Sequence, residues 1–108
     1  MSDKPLPHLF IEEISEKTLP SFEEFESEIL KDGALSRRNK LLIAVASAVA
    51  VNCEFCVQEL SRKALNEGVK LEELVEAASV ACLICGGSAF RRASLILNLV
   101  VDKSGDKG

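Results

Sequence analysis

LLIAVASAVAVNCEFCVQELSRKALNEG, residues 41–68, decides how this chain is read. From Leu41 to Val51 only Ser47 interrupts a run of apolar side chains. The run falls short of the roughly 20 residues that a membrane span needs, so it reads as a buried helix. A helix apolar on nearly all sides is hard to cover within a small domain, and part of it is expected to face another subunit. Asn52 breaks the run. Cys53 then opens a helix to about Glu67, closed by Gly68 in the C-cap position.

Downstream, Lys70 to Cys85 reads as a further helix, with Glu72, Glu73 and Glu76 in the early turns where the helix dipole favours negative charge. Leu71, Leu74, Val75 and Ala78 form its expected buried stripe. Gly86, Gly87 and Ser88 predict a sharp break or a close packing point before a last helix, about Ala89 to Asp102. Upstream, Ser36 is a candidate cap for the apolar helix. Before it, the Ser21-x-x-Glu24 spacing reads as a capping box that starts a helix at about 21–32, ended by Gly33. Phe22, Phe25 and Ile29 give that helix one apolar stripe. No strand alternation of useful length occurs, so the fold class is all-α. The organisation read from the chain is an N-terminal arm over 1–19 holding Pro5 and Pro7, a helical domain over 20–103, and a flexible tail over 104–108.

The composition, 47% hydrophobic in 108 residues, is ample for the core of one domain. A net charge of -4, with both signs interspersed, supplies no basic field for phosphates, so nucleic acid is excluded as an expected partner. Met1 to Pro7 mixes charges and prolines with no apolar run behind it, unlike a secretory signal. The expectation is a cytoplasmic protein without a membrane partner or a cofactor. Four cysteines in a reducing compartment are seldom structural disulfides, which leaves catalysis, redox sensing or metal binding.

Cys53 and Cys56 are the leading pair. A helix N-terminus carries partial positive charge and free amides, which stabilise a thiolate on Cys53. A spacing of three residues places both sulfurs on one face of one turn, within reach of a disulfide. One cysteine can then attack and the other resolve.

The stretch from Leu41 through Ala89 resembles the core of the carboxymuconolactone decarboxylase and alkylhydroperoxidase D-like family. The features that carry the resemblance come in order: an alanine-rich apolar helix, a CxxC helix, Asn66-Glu67-Gly68 after an alanine and basic residues, an acidic Glu72-Glu73 turn, and a helix ending at Gly86 and Gly87. It implies an alkylhydroperoxidase D-like helical bundle that assembles through apolar helices into trimers or hexamers. It also implies a peroxidase-type chemistry in redox-active members, in which Cys56 attacks the peroxide and Cys53 resolves it. The helix-dipole argument favours Cys53 instead as the more acidic thiol. A peroxide or disulfide substrate and a dithiol reductant protein are the partners implied.

This chain departs from the pattern. Redox-active members place a histidine four residues after the second cysteine and a glutamate twelve before the first, a relay that takes the thiol proton. Here those positions hold Leu60 and Leu41, and the single histidine, His8, lies in the arm. General-base help of about 10²- to 10⁴-fold is lost with such a relay. Glu54 and Glu59 flank the pair and read as solvated surface charge.

Cys82 and Cys85 form a second CxxC, expected near a helix C-terminus, whose partial negative charge opposes a thiolate. As a secondary site the pair has three readings: buried packing residues, a dithiol relay to Cys53 and Cys56, or half of a four-thiolate metal site. The preferred function is a thiol-disulfide redox protein, an antioxidant of peroxidase type. The alternatives are a noncatalytic oligomeric module with structural or metal-binding cysteines and, third, a lactone decarboxylase.

Overall fold

A computed structural model describes residues 3–99. The described residues are all-helical and hold no strand. The elements are α1 (Leu6–Ile14), α2 (Thr18–Leu30), α3 (Arg37–Ala50), α4 (Glu54–Asn66) and α5 (Leu71–Ala93), with a further helical turn over 96–99. The expected tail over 104–108, and the end of a helix reaching Asp102, lie outside the described residues. The chain divides into two compact units, Met1–Arg37 and Arg38–Gly108, a division that falls inside the stretch read from sequence as one domain.

In the first unit the arm is helical, and α1 packs on α2. Pro5 caps α1 and Pro7 sits in its first turn, where a missing N–H costs nothing because no intrahelical acceptor exists there. The Ser21–Glu24 capping box is not the start of α2, which begins three residues earlier at Thr18. The Ser21 amide already bonds the Lys17 carbonyl at 3.1 Å, so Ser21 lies within the ladder instead of before it. Pro20 is accommodated for the same reason as Pro7. The Ser15 hydroxyl organises the turn into α2, meeting the Thr18 hydroxyl at 2.8 Å and accepting from the Lys17 amide at 3.3 Å. Leu19 and Leu30 are buried, whereas the stripe of Phe22, Phe25 and Ile29 is exposed.

The second unit carries the cysteines. Its core is Leu41, Val45 and Ala48 of α3, Ala64 of α4, Val69, and Leu74 and Ala81 of α5. Two contacts fix how α3 and α5 lie. The Arg38 guanidinium grips the Glu73 carboxylate through two hydrogen bonds, Nη1 reaching Oε2 at 2.6 Å. Twelve residues further along each helix, the Cys85 thiol lies 3.9 Å from the Ala50 carbonyl. Both contacts join residues 35 apart, so α3 and α5 run parallel and in register over about 18 Å. Because α4 leaves from the end of α3 and returns to the start of α5, it runs antiparallel to both.

The glycines expected to interrupt α5 do not. The helix continues through Gly86 and Gly87 to Ala93, 23 residues in all. Each glycine costs a helix only about 1 kcal/mol, and the Ala-, Leu- and Ile-containing turns on either side keep the ladder intact. Neither is a close packing point, since a Cβ at either would meet nothing within 4 Å. The buried stripe also differs: Leu71 and Val75 are exposed, and the inward line runs through Leu74, Ala78 and Ala81. The register explains this, for α3 ends level with Cys85. Beyond that level the described residues of the second unit offer α5 no partner helix. Phe90, 80% exposed, and Leu95, Ile96, Leu97 and Leu99 are accordingly bare.

The segment Leu71–Leu99 is long and apolar enough, by length and composition, to cross a membrane. Its uncharged run, Ala77–Phe90, is 14 residues, about 21 Å as a helix, against about 30 Å of hydrocarbon in a bilayer.

Glu73 joins two tasks, accepting from the Lys70 amide at 2.9 Å at the start of α5 while holding Arg38. The hydrogen bond from Arg38, then that from the Lys70 amide, lower its carboxyl from an ordinary 4.5 to about 2. A depressed carboxyl stabilises the fold above its unfolded value and loses that contribution as pH falls toward the folded one. Between about pH 4.5 and 2, wild type is expected to lose stability more steeply than Glu73→Gln in urea titrations. Parallel curves would show that the pair contributes nothing.

Candidate functional site

The turn from α3 to α4 builds the site. Asn52 has φ 61°, the left-handed conformation that asparagine tolerates better than any branched residue. The Cys53 amide reaches back to Ala48 O at 2.9 Å and the Asn52 amide to Val49 O at 3.1 Å, the paired bonds of a Schellman ending. Cys53 follows in extended conformation, φ -102° and ψ 93°, as the N-cap of α4. One residue therefore closes one helix and opens the next. An equivalent Schellman pair at the other end of α4 uses Gly68, φ 96°, and seats Val69 in the core.

Cys53 and Cys56 are joined as a disulfide, with Cα atoms 5.2 Å apart. Cys53 Sγ also accepts from the Cys56 amide at 3.2 Å, so sulfur occupies the place that serine or aspartate oxygen takes in ordinary caps. Both residues are half-buried. Their surroundings differ. Cys53 lines an open cleft of about 410 Å³ together with Ala48, Val49, Asn52, Glu54 and Gln58, and Cys56 does not line it. Cys56 instead lies on the side of α4 that carries half-buried Leu60 and the fully buried Ala64.

The positions of the missing relay are apolar in space as in sequence. Leu41 is 0% exposed, in the middle of the core, and Leu60 is half-buried. His8 belongs to α1 in the other unit. Of the two flanking acids, Glu59 pairs with Arg62 at the surface, as expected of a solvated charge. Glu54 stands beside Cys53 on the cleft wall, which sequence spacing did not reveal. Asn52 and Gln58 were missed as lining residues also; an asparagine directly after an apolar helix was the available signal, since asparagine favours left-handed helix ends.

Cys82 and Cys85 are exposed free thiols on α5. They sit inside a continuous helix and not at its C-terminus, because α5 runs on to Ala93. The packing reading also fails, since neither is buried. Among the described residues no three His, Cys, Asp or Glu side chains converge as they would on a metal ion.

The family model described as the carboxymuconolactone decarboxylase family matches residues 16–98, most of the chain. The chain belongs to this family. A family relative from Paracoccus denitrificans, "Uncharacterized protein 4 in cox locus", is 35% identical over 77 residues, covering 71% of this chain and 69% of the relative. A crystal structure of a structural-genomics protein from Methanobacterium thermoautotrophicum is 44% identical, with a TM-score of 0.71. That likeness covers 81% of this chain and 97% of the other. Family membership and the bridged sulfurs of Cys53 and Cys56 are compatible with a redox role.

Proposed function

We propose that this protein is a cytoplasmic thiol-disulfide redox protein in which Cys53 and Cys56 cycle between dithiol and disulfide, oxidised by a peroxide and reduced by a dithiol protein. The observation that carries the reading is Cys53 itself, a sulfur that caps α4, opens on a cleft and stands one turn from a partner sulfur. In the reduced protein the N-terminal amides of α4 and the helix dipole favour a thiolate at Cys53. That stabilisation replaces the general base that Leu41 and Leu60 cannot supply.

The assignment reverses the order implied by the family resemblance. Cys53, and not Cys56, is the attacking sulfur, because it alone both caps the helix and faces the cleft. Its thiolate attacks the peroxide O–O bond, giving a sulfenic acid and an alkoxide that takes a proton from solvent and leaves as alcohol. The Cys56 thiol then displaces hydroxide from the Cys53 sulfur; its released proton makes that hydroxide water, and the disulfide closes. A dithiol reductant returns both sulfurs to thiols. Hydroperoxide consumption, measured with a dithiol reductant for wild type and for serine variants of each cysteine, tests the cycle. Equal rates in all three proteins would favour the noncatalytic module, the reading that the buried Leu41 supports.

Assembly belongs to the same proposal. Phe90 near the end of α5 and Leu95, Ile96, Leu97 and Leu99 beyond it are bare apolar side chains, and a second copy of this chain is their proposed cover. Light scattering is expected to give a multiple of the 11.7 kDa chain mass. A monomeric mass at micromolar concentration would defeat the idea.

A further inference from the structure

Three polar side chains stand with Cys53 on the wall of the cleft, Asn52 from the turn and Glu54 and Gln58 from α4. Glu54, Val57 and Gln58 have the three- and four-residue spacing of one helix face, and that face of α4 closes one side of the cleft. Ala48 and Val49, near the end of α3, supply the apolar part opposite. Among the described residues no hydrogen bond or ion pair engages the side chains of Asn52, Glu54 or Gln58. Other glutamates differ, for Glu12, Glu28, Glu59 and Glu73 each hold a lysine or an arginine. No cation among the described residues neutralises Glu54.

The sign of the field at Cys53 follows from two opposed charges. A helix start by itself recruits anions, because its free amides and a partial charge of about +0.5 face outward. Since α4 starts at the cleft, Cys53 as its N-cap would draw in a reactant that bears a carboxylate or a phosphate. The full negative charge of Glu54, in the first turn, outweighs that half charge and reverses the preference. The helix dipole alone explains an acid in a first turn, and Glu72 and Glu73 serve α5 in that way. It does not explain why this acid stands beside the sulfur on a cleft wall.

We infer that Glu54 is a specificity residue that turns anionic reactants away from Cys53, so that the oxidant of this protein is an uncharged hydroperoxide. The inference rests on the Cys53–Cys56 cycle and names the charge class of its substrate. The amides of Asn52 and Gln58 can each donate to and accept from peroxide oxygens, while Ala48, Val49 and Val57 receive a short apolar substituent. A hydroperoxide carrying its own carboxylate meets Glu54 on entry and is repelled. Glu54 acts on the approach of the reactant and takes no part in the bond changes.

Iodoacetamide and iodoacetate test the field directly. Both alkylate the thiolate and are close in size, but only iodoacetate is charged. The ratio of their rates at Cys53 therefore cancels any change in thiolate fraction. The reduced full chain is alkylated, and fragmentation of the tryptic peptide 41–62 separates Cys53 from Cys56. Glu54→Gln is expected to raise the iodoacetate rate relative to the iodoacetamide rate by about fivefold, the effect of one unit charge at about 4 Å through bulk water. That gain is expected to shrink in 1 M salt, where the screening length is about 3 Å. Glu59→Gln makes the same change of charge off the cleft and is expected to keep the wild-type ratio. Equal ratios in wild type and Glu54→Gln, or the same rise in Glu59→Gln, would overturn the inference. The cycle still stands in that case if wild type consumes tert-butyl hydroperoxide with a dithiol reductant. No consumption by wild type sinks both.

Discussion

Cys53→Ser is expected to consume hydroperoxide no faster than the buffer blank, with helix content and unfolding midpoint close to those of wild type. Serine is the informative replacement because its oxygen can accept the Cys56 amide as the sulfur does. Alanine would remove the cap and cost about 1 kcal/mol, mixing a structural loss with a chemical one. Cys56→Ser is expected to differ in kind. It retains the sulfur on the cleft but cannot close the disulfide, so one peroxide is reduced per chain and turnover stops. A single-turnover burst separates the two variants and so decides which sulfur attacks. A burst from Cys53→Ser and none from Cys56→Ser would return the attack to Cys56, the order implied by the family resemblance.

The second large effect concerns Leu41. Leu41→Ala is expected to lower the unfolding free energy by about 2–5 kcal/mol, the range for truncating a leucine in a core that cannot collapse around the gap. The side chain is 0% exposed and anchors the line through Val45 and Ala48. Leu41→Glu, which would install a carboxylate at the relay position, is expected to do more harm. An unpaired charge in that place costs about 3–5 kcal/mol in addition to the lost packing, and the total rivals the 5–15 kcal/mol stability of an ordinary domain. Urea unfolding of both variants checks the order. A Leu41→Glu protein as stable as wild type, and quicker with peroxide, would mean that the bundle is built to take a relay after all. An unfolded one would show that leucine at this position is part of the core, and that thiol activation here has to come from the helix start.

Much of the second unit was legible along the chain, because the signals are local. The run to Val51, the break at Asn52, the cysteine cap and the glycine after Glu67 each depend on residues within a turn or two, and each stands where it was read. Readings that needed a neighbour from elsewhere went astray. Ser21 and Glu24 have the spacing of a capping box, but the Ser15–Thr18 turn starts the helix earlier. Gly86 and Gly87 look like a break, but their cost is small beside the ladder on either side. The stripe on α5 follows its parallel register with α3, a relation between residues 35 apart.

The order of residues was enough to specify an all-helical chain, its family and the two sulfurs that bridge, because backbone propensity, capping and a three-residue spacing act over a few ångströms. Which of those sulfurs looks onto a cleft depended on how the helices come together. Packing sets the depth of every side chain along a helix, and no local pattern encodes where a neighbouring helix ends.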